Sequence, residues 1–458
     1  MQSTLLTETE YKYLDGVSCG SICAFRPDRR GRVEDHVLYY DRKSAYPAHI
    51  LFDYVPNGIA KEFEAPDMER VRAAMRSRCV AGLFRFSGIR AKRKDRPVYL
   101  RESMLETADG LEVKHGFVMR AAELTVYGTE LDFQSIEECY FFKSVECVGC
   151  IVYQRGVMPY KIKKYTLARF AEKEKATDPA RRRVAKEMLN AIYGIFVTNP
   201  VRERYEYDIE ETRWKEPEKP GVQQAIEEYN ANASRFYRFC WGVWIAAHCR
   251  RAEWRAWTAC REYFVYGDTD SALCRYKKHA PYEQYFREEN VRIRARAEEE
   301  AERLRVPLEM FMPAGELLGS WILASGTARM CINGIKNYIQ EDSDGHIKIV
   351  MAGIDPDLSG EYVRRKYGAR AVDEFSTITY YPSRYRITGT GEIFSATGRK
   401  LRFHQDFIAE GFFTDINGDR QHFETLSGLV QMFAPVTRRE LENYNAEKQR
   451  ADGDIALP

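Results

Sequence analysis

The stretch EYFVYGDTDSALCRY, Glu262 to Tyr276, sets apolar runs on either side of two aspartates. Such a pattern reads as two antiparallel strands joined by a polar turn, so the fold must contain a sheet that buries this hairpin. It must also bring something cationic to the tip, because an unpaired carboxylate beside apolar surface is costly. In a strand, residues i and i+2 share a face. Asp268 and Asp270 are therefore expected to point the same way, with Thr269 turned to the other. Two close carboxylates share a proton or bind a cation. No histidine neighbours them in sequence, and oxygen-only ligation favours Mg²⁺ or Mn²⁺ over Zn²⁺. Alone, a D-x-D turn is a weak signal, since most are ordinary turns.

The chain can build a large core around such a sheet. Its 458 residues are 44% hydrophobic and 13% aromatic, which excludes a disordered chain and allows two to four domains, or one with insertions. The net charge of +2 gives no bulk attraction for nucleic acid. RAKRKDR (Arg90 to Arg96) and Arg181–Arg183 are local basic clusters, each of which reads most simply as solvated surface. The first residues carry acidic groups and no apolar run, so no secretory signal is visible, and no window reaches about 18 apolar residues. With 11 scattered cysteines, this points to free thiols in the cytoplasm and to no membrane partner. Cys19, Cys23, Cys147 and Cys150 could supply four zinc thiolates. Only the last two have the usual spacing, in a Val/Ile/Tyr-rich run, so they are expected in the core.

Residues 1–41 end in a strand-like HVLYYD, and the region 79–150 alternates apolar and polar runs as a sheet would. A helix is expected from about Pro159 to Lys175, and a second begins at Asp178, with Pro179 in its first turn. The polar stretch 200–235 reads as an inserted loop or hairpin, FCWGVWIAAHCRRAEWRAW as a buried helix, and 282–306 as a charged helix with a solvated face.

A further acid, Asp41, ends an apolar strand in YYDRKSAYPAHI, where Pro47 stops any ladder. Three carboxylates at strand ends are the minimum for bridging two divalent ions ~3.5–4 Å apart, an arrangement suited to phosphoryl transfer. On the second helix Arg182, Lys186, Asn190 and Tyr193 are spaced 4, 4 and 3, which places them on one face. Two cations and a tyrosine on one stripe suit a triphosphate and a base.

DRKSAYP, KEMLNAIYG and YGDTDS, in that order, resemble the A, B and C motifs of family B DNA polymerases, approximately D-x-x-S-L-Y-P, K-x-x-x-N-S-x-Y-G and Y-x-D-T-D-S. KNY (Lys336 to Tyr338) is similar to the family's K-x-Y motif. AAELTVYGTEL, YGIFVTNP, LLGSW and MAG resemble the protein-primed phage subgroup, so that the similarity covers roughly residues 10–355. It implies an α+β right-hand fold with an antiparallel-sheet palm. Residues 1–160 would form an N-terminal segment and palm with a first insertion, 161–200 the fingers, and 201–237 a strand-displacement-type insertion. Residues 238–340 would hold the palm's catalytic hairpin, and 341–458 the thumb and C-terminal tail.

Residue by residue, the resemblance implies that Asp41 and Asp270 bind two Mg²⁺ ions, which Mn²⁺ can replace, and that Asp268 completes the cluster. Tyr46 would exclude a ribose 2′-hydroxyl, with Ser44, Arg182, Lys186, Asn190 and Tyr193 around the incoming dNTP. Gly194, Thr269, Lys336 and Tyr338 would contact the primer–template DNA. Ala45, Ala191 and Ile195 depart from the usual Leu, Ser and Lys, which is expected to alter efficiency or template grip, and YLDG (Tyr13 to Gly16) only loosely resembles the Y-x-G-G linker motif. Only 40 residues precede Asp41, so the expectation is a polymerase without its own proofreading domain, served by a separate exonuclease or none, and by DNA or a terminal priming protein as primer. A non-catalytic DNA-binding scaffold and a two-metal nuclease are the competing readings. The intact acids argue against the first, and the Lys186 helix and Tyr46 against the second.

Overall fold

The hairpin around Asp268 lies in an antiparallel sheet whose neighbouring strands come from the first 42 residues of the chain. The structure, a computed structural model, describes residues 5–17, 19–20, 22–93, 97–202, 207–208, 213–214, 220–232, 235–351 and 368–375, and the backbone of six strands between 379 and 433. It divides into two units, Met1–Asn199 with Tyr229–His346, and Pro200–Glu228 with Ile347–Pro458.

The first unit is built on two antiparallel sheets. One begins with β1 (Cys23–Phe25) and β2 (Val33–Arg42). The other runs β3-β9-β4-β7-β5, from β3 (Tyr54–Glu64), β4 (Arg78–Ala91), β5 (Leu105–Asp109), β7 (Phe117–Thr129) and β9 (Ser144–Val157); β6 (Glu112–Lys114) pairs with β7 and β8 (Tyr140–Phe141) with β4. After the short pair β10 (Tyr207–Asp208) and β11 (Arg213–Trp214), which belongs to the second unit, the chain returns to the first sheet. It adds β12 (Phe264–Asp268), β13 (Ser271–Arg275), β14 (Trp321–Gly334) and β15 (Asn337–Glu341) in the order β1-β12-β13-β2-β14-β15. The register sets Ser271 opposite Asp41 and Cys23 opposite Asp268. Pairing across the sheet thus brings together carboxylates more than two hundred positions apart in sequence.

Helices α1 (Glu8–Gly16), α2 (Ala45–Phe52), α3 (Met68–Ser77), α4 (Glu130–Cys139), α5 (Tyr160–Lys175) and α6 (Pro179–Phe196) precede β10; α7 (Val222–Ala231), α8 (Phe239–Ala259) and α9 (Pro281–Leu304) follow β11. Helices α5, α6 and α8 match the sequence reading, and the Asp178 carboxylate caps α6 by accepting from the N–H groups of Ala180 and Arg181. Helix α1 lies within a stretch read only as leading to a strand; a capping box of Thr7 and Glu10 starts it. The charged 282–306 helix is present with its solvated face, as expected, but one stripe of it belongs to the core. Tyr282, Phe286, Ile293, Ala297, Ala301 and Leu304 of α9 are buried, and Lys163 of α5 donates to Glu300 at 2.9 Å. The apolar positions are outnumbered by charged ones in sequence, but their spacing of three, four and seven forms a continuous stripe.

Helix α8 is the spine of the unit. Trp244 and Trp257 are fully buried, and covering an indole of ~200 Å² is worth about 5 kcal/mol. Arg250 of α8 pairs in bidentate fashion with Asp132 of α4 at 2.9–3.1 Å, with both residues buried. Cys147 and Cys150 are buried, as expected. Among the described residues no helix is long and apolar enough to cross a membrane. In the second unit the strand 407–414 pairs with 379–387 and 420–427, and 400–403 pairs with 393–396 and 431–433.

Candidate active site

Asp41 is the penultimate residue of β2, Asp268 is the last of β12, and Asp270 lies in the two-residue turn between β12 and β13. The expected shared strand face for Asp268 and Asp270 is therefore corrected, because the strand ends at Asp268, two residues before Asp270. Thr269 adopts a left-handed conformation, φ 60°, and its hydroxyl donates to Asp268 Oδ1 at 2.8 Å, so it does not face away. A threonine held there stores backbone strain, which is tolerated at sites where position matters. The Ser271 hydroxyl locks the turn, accepting from the Asp268 N–H at 3.1 Å and donating to its carbonyl at 3.0 Å. Gly267 is required by the Trp257 indole, which would lie 2.3 Å from any Cβ at that position.

The three carboxylates feel one another. Burial, then the charges of Asp41 and Asp268, push the Asp270 carboxyl up to about 7. Burial also raises Asp41, against a hydrogen bond from Tyr39 and the pull of Lys43, Lys173 and Lys186. Asp268 accepts from the Cys23 thiol at 3.0 Å and lies 3.9 Å from Lys336 Nζ. Among the described residues no ion pair reaches the carboxylate of Asp41 or Asp270, and no three metal-ligating side chains already close on one point. Mutually repelling, half-buried, all-oxygen donors, two of them with no ion-pair partner among the described residues, fit a hard divalent cation.

The helices α5 and α6 face these acids with cations. Lys186 is exposed and lowers both Asp41 and Asp270. Arg182 and Asn190 are exposed on the same helix face, opposite the buried Ala185, Leu189, Ile192 and Phe196. Nothing lies within 4 Å of a Cβ built at Gly194, so the protein's own packing does not require a glycine there. Lys173 was missed in the sequence, where it sits in a charged helix end. It donates to the Ser44 hydroxyl at 2.9 Å and pairs with Glu174, which also holds Lys43 at 2.8 Å.

Ser44 has φ 54° and leads into α2, so the strand gives way to a helix at Ala45; Pro47 sits in that helix's first turn and does not end the ladder as expected. The helix presents Tyr46, whose ring stacks on Tyr193 of α6 at 3.9 Å and 12°. The Tyr193 hydroxyl donates to the Cys19 carbonyl at 2.7 Å, fixing the stack. Lys336, φ 49°, donates its N–H to the Tyr266 hydroxyl at 3.1 Å, and Tyr338 packs against the Tyr266 ring at 5.0 Å. The K-x-Y residues thus stand beside Asp268.

Behind the acids lies a buried polar chain that no motif announced. The Arg42 N–H donates to the Asp270 carbonyl at 2.7 Å, and its guanidinium reaches Glu253 at 3.3 Å and His49 Nε2 at 2.7 Å. Arginine can only donate, so His49 carries its proton on Nδ1 and gives it to Asp53 at 2.6 Å. Burial, then Arg42, hold that imidazole down at about 3, so it is neutral. Burial also pushes Glu253 up to about 8. This chain fixes the β2–α2 connection from which Asp41 and Tyr46 project.

The sequence family described as DNA polymerase type B, organellar and viral, matches residues 4–238. No curated protein sequence matches the chain. Among solved structures it is similar to Phi29 DNA polymerase in a ternary complex with primer-template DNA and incoming nucleotides. There the TM-score is 0.57 at 14% identity, over 92% of this chain and 63% of that one. Phi29 DNA polymerase with primer-template DNA gives 0.54 at 17% identity over 79% and 58%, and with single-stranded DNA 0.52 at 17% over 78% and 57%. The chain spans 57% to 63% of the length of these structures. At this identity the likeness establishes a shared mixed α/β fold with antiparallel sheets.

Proposed function

Because this chain belongs to the type B DNA polymerases, organellar and viral, we propose that it adds dNTPs to a primer 3′ end under the direction of a DNA template. The observation that carries this reading is the meeting of Asp41, Asp268 and Asp270 with the cationic face of α6 on one side and Lys336 on the other. Acids alone would suit a nuclease. Acids facing a lysine on a helix that also carries one half of a stacked tyrosine pair suit a nucleoside triphosphate.

Asp41 and Asp270 would hold two Mg²⁺ or Mn²⁺ ions, with Asp268 completing the set. Such ions supply charge neutralisation for the transferred phosphoryl group. The chain's own residues do the positioning. Lys186, with Lys173 and Arg182, meets the phosphate oxygens, and Tyr46 on its Tyr193 support closes the space a 2′-hydroxyl would need. Ser44 and Asn190 line the nucleotide site, Gly194 and Thr269 face the DNA, and Lys336 and Tyr338 steady the primer terminus. Palm, fingers and thumb follow as the names for β1–β2 with β12–β15, for α5–α6, and for the C-terminal unit. The primer hydroxyl comes from DNA or a terminal priming protein.

Lys186→Ala should raise KM for dNTP about tenfold or more, the loss of one charge-assisted phosphate contact of roughly 1.5–3 kcal/mol. Steady-state single-nucleotide kinetics test this; an unchanged KM would remove Lys186 from the triphosphate site. Tyr46→Ala should relax discrimination against ribonucleotides by at least about tenfold, roughly 1.4 kcal/mol. The ratio of kcat/KM for matched dNTP and rNTP reads this, and an unaltered ratio would leave Tyr46 a packing partner of Tyr193 only. Extension of a primed single strand with Mg²⁺, beside a 3′-mismatched primer, tests the reaction as a whole and reports any proofreading. A DNA-binding scaffold would extend neither primer.

A further inference from the structure

The basic run that opens with RAKR is used by nothing in the proposed chemistry. Arg90 is the penultimate residue of β4, and Lys92 and Arg93 follow it. The register sets Arg90 between Phe141 of β8 and Arg120 of β7, and all three are exposed. The Phe141 ring is 51% exposed, with the Arg90 guanidinium and Lys92 Nζ each 5.3 Å from its centroid. In the connection between β8 and β9, the Lys143 side chain crosses Gly88, where an added Cβ would meet it at 2.8 Å.

A solvated charge run would spread its cations into water and bury its aromatic. Here the Arg90 guanidinium and the Lys92 ammonium, which also donates to the Glu137 carbonyl at 2.6 Å, are held beside a ring that stays in solvent. Among the described residues Arg90, Lys92, Arg93 and Lys143 have no carboxylate partner. Glu137 and Glu138, on the helix that leads into β8, are taken by Arg72 and Arg251, and of the cations around the ring only Arg120 is paired among the described residues, with Glu112 at 2.5 Å. An open π-face flanked by cations is the unit by which proteins hold a single strand: the ring stacks on a base and the cations meet phosphates on either side.

We propose that the outer face of β4, β7 and β8, centred on Phe141 and Arg90, is a binding site for single-stranded nucleic acid separate from the acid-lined site. An acidic protein segment would satisfy the cations without using the ring, so the exposed ring favours the nucleic acid.

The test uses the full chain saturated with unlabelled primer–template, so that the acid-lined site is filled. Fluorescence anisotropy then follows a labelled oligothymidylate, with oligouridylate in parallel to tell DNA from RNA as the preferred strand. The parent protein should bind, Phe141→Ala should weaken binding about tenfold, and Arg90→Ala with Lys92→Ala should lower the salt dependence by about 1.4 in log–log slope. All three side chains are exposed, and thermal unfolding midpoints matching the parent would show the variants folded. Equal binding by parent and both variants, or no binding of either oligonucleotide by the parent, would overturn the proposal. Capture of an acidic polypeptide with no binding of either strand would overturn it equally.

Discussion

Asp270→Asn is expected to abolish nucleotide incorporation while leaving primer–template affinity within a factor of about two. The substitution removes one of three carboxylates and leaves the turn intact, because the turn is held by Ser271 and by the backbone bond from Arg42. Charge stabilisation by a bound divalent ion is worth several kcal/mol in the transition state; losing roughly 4 kcal/mol slows the step about a thousandfold. Pre-steady-state incorporation and DNA anisotropy read the two quantities separately. Incorporation at the parent rate would remove Asp270 from the chemistry.

The same change should stabilise the metal-free fold, with a defined pH dependence. Burial, then Asp41 and Asp268, raise the folded Asp270 carboxyl to about 7, above the 3.8 of an unperturbed one. The folded state therefore binds this proton more tightly than the unfolded chain. Ionising it costs stability that is intact below about pH 4, is lost progressively up to about pH 7, and stays lost above. An asparagine in its place never ionises. In chelator the Asp270→Asn variant should exceed the parent by on the order of 2 kcal/mol at pH 8, allowing for partial exposure, with the difference fading as the pH falls through this window. A constant difference across the range would mean that Asp270 is not crowded by its neighbours.

The largest stability loss is expected for Arg250→Ala. Arg250 and Asp132 form a buried bidentate pair between α8 and α4, and Asp132 also accepts from Thr129. Removing the guanidinium leaves a buried carboxylate without its cation, which costs about 3–5 kcal/mol. Urea denaturation should show this loss, and a double change to apolar residues of similar size should recover much of it, since the pair itself breaks roughly even against packing. A loss below about 1 kcal/mol would show that the pair is not desolvated in solution.

What the sequence disclosed depends on range. Local rules found the hairpin of β12 and β13, the Asp178 cap, and the α6 stripe from Arg182 to Tyr193, because each is written within a few turns of chain. They misplaced Asp270, because nothing local reveals that Thr269 takes φ 60° and ends the strand at Asp268. They missed Lys173 and Arg42, which no spacing rule singles out. What makes them part of the site is contact with Ser44 and Glu253, residues brought near by sheet pairing and helix packing. Buried ionisable groups are the hardest to foresee, since their partner is fixed by tertiary structure.

The most direct test of the account offers each of the four dNTPs singly to the protein on a primed template, with Mg²⁺, beside Asp270→Asn. The account predicts that only the nucleotide complementary to the template base is added, by one position, and that the variant adds none. Addition irrespective of the template base, shortening of the primer in place of extension, or equal activity in the variant would contradict it.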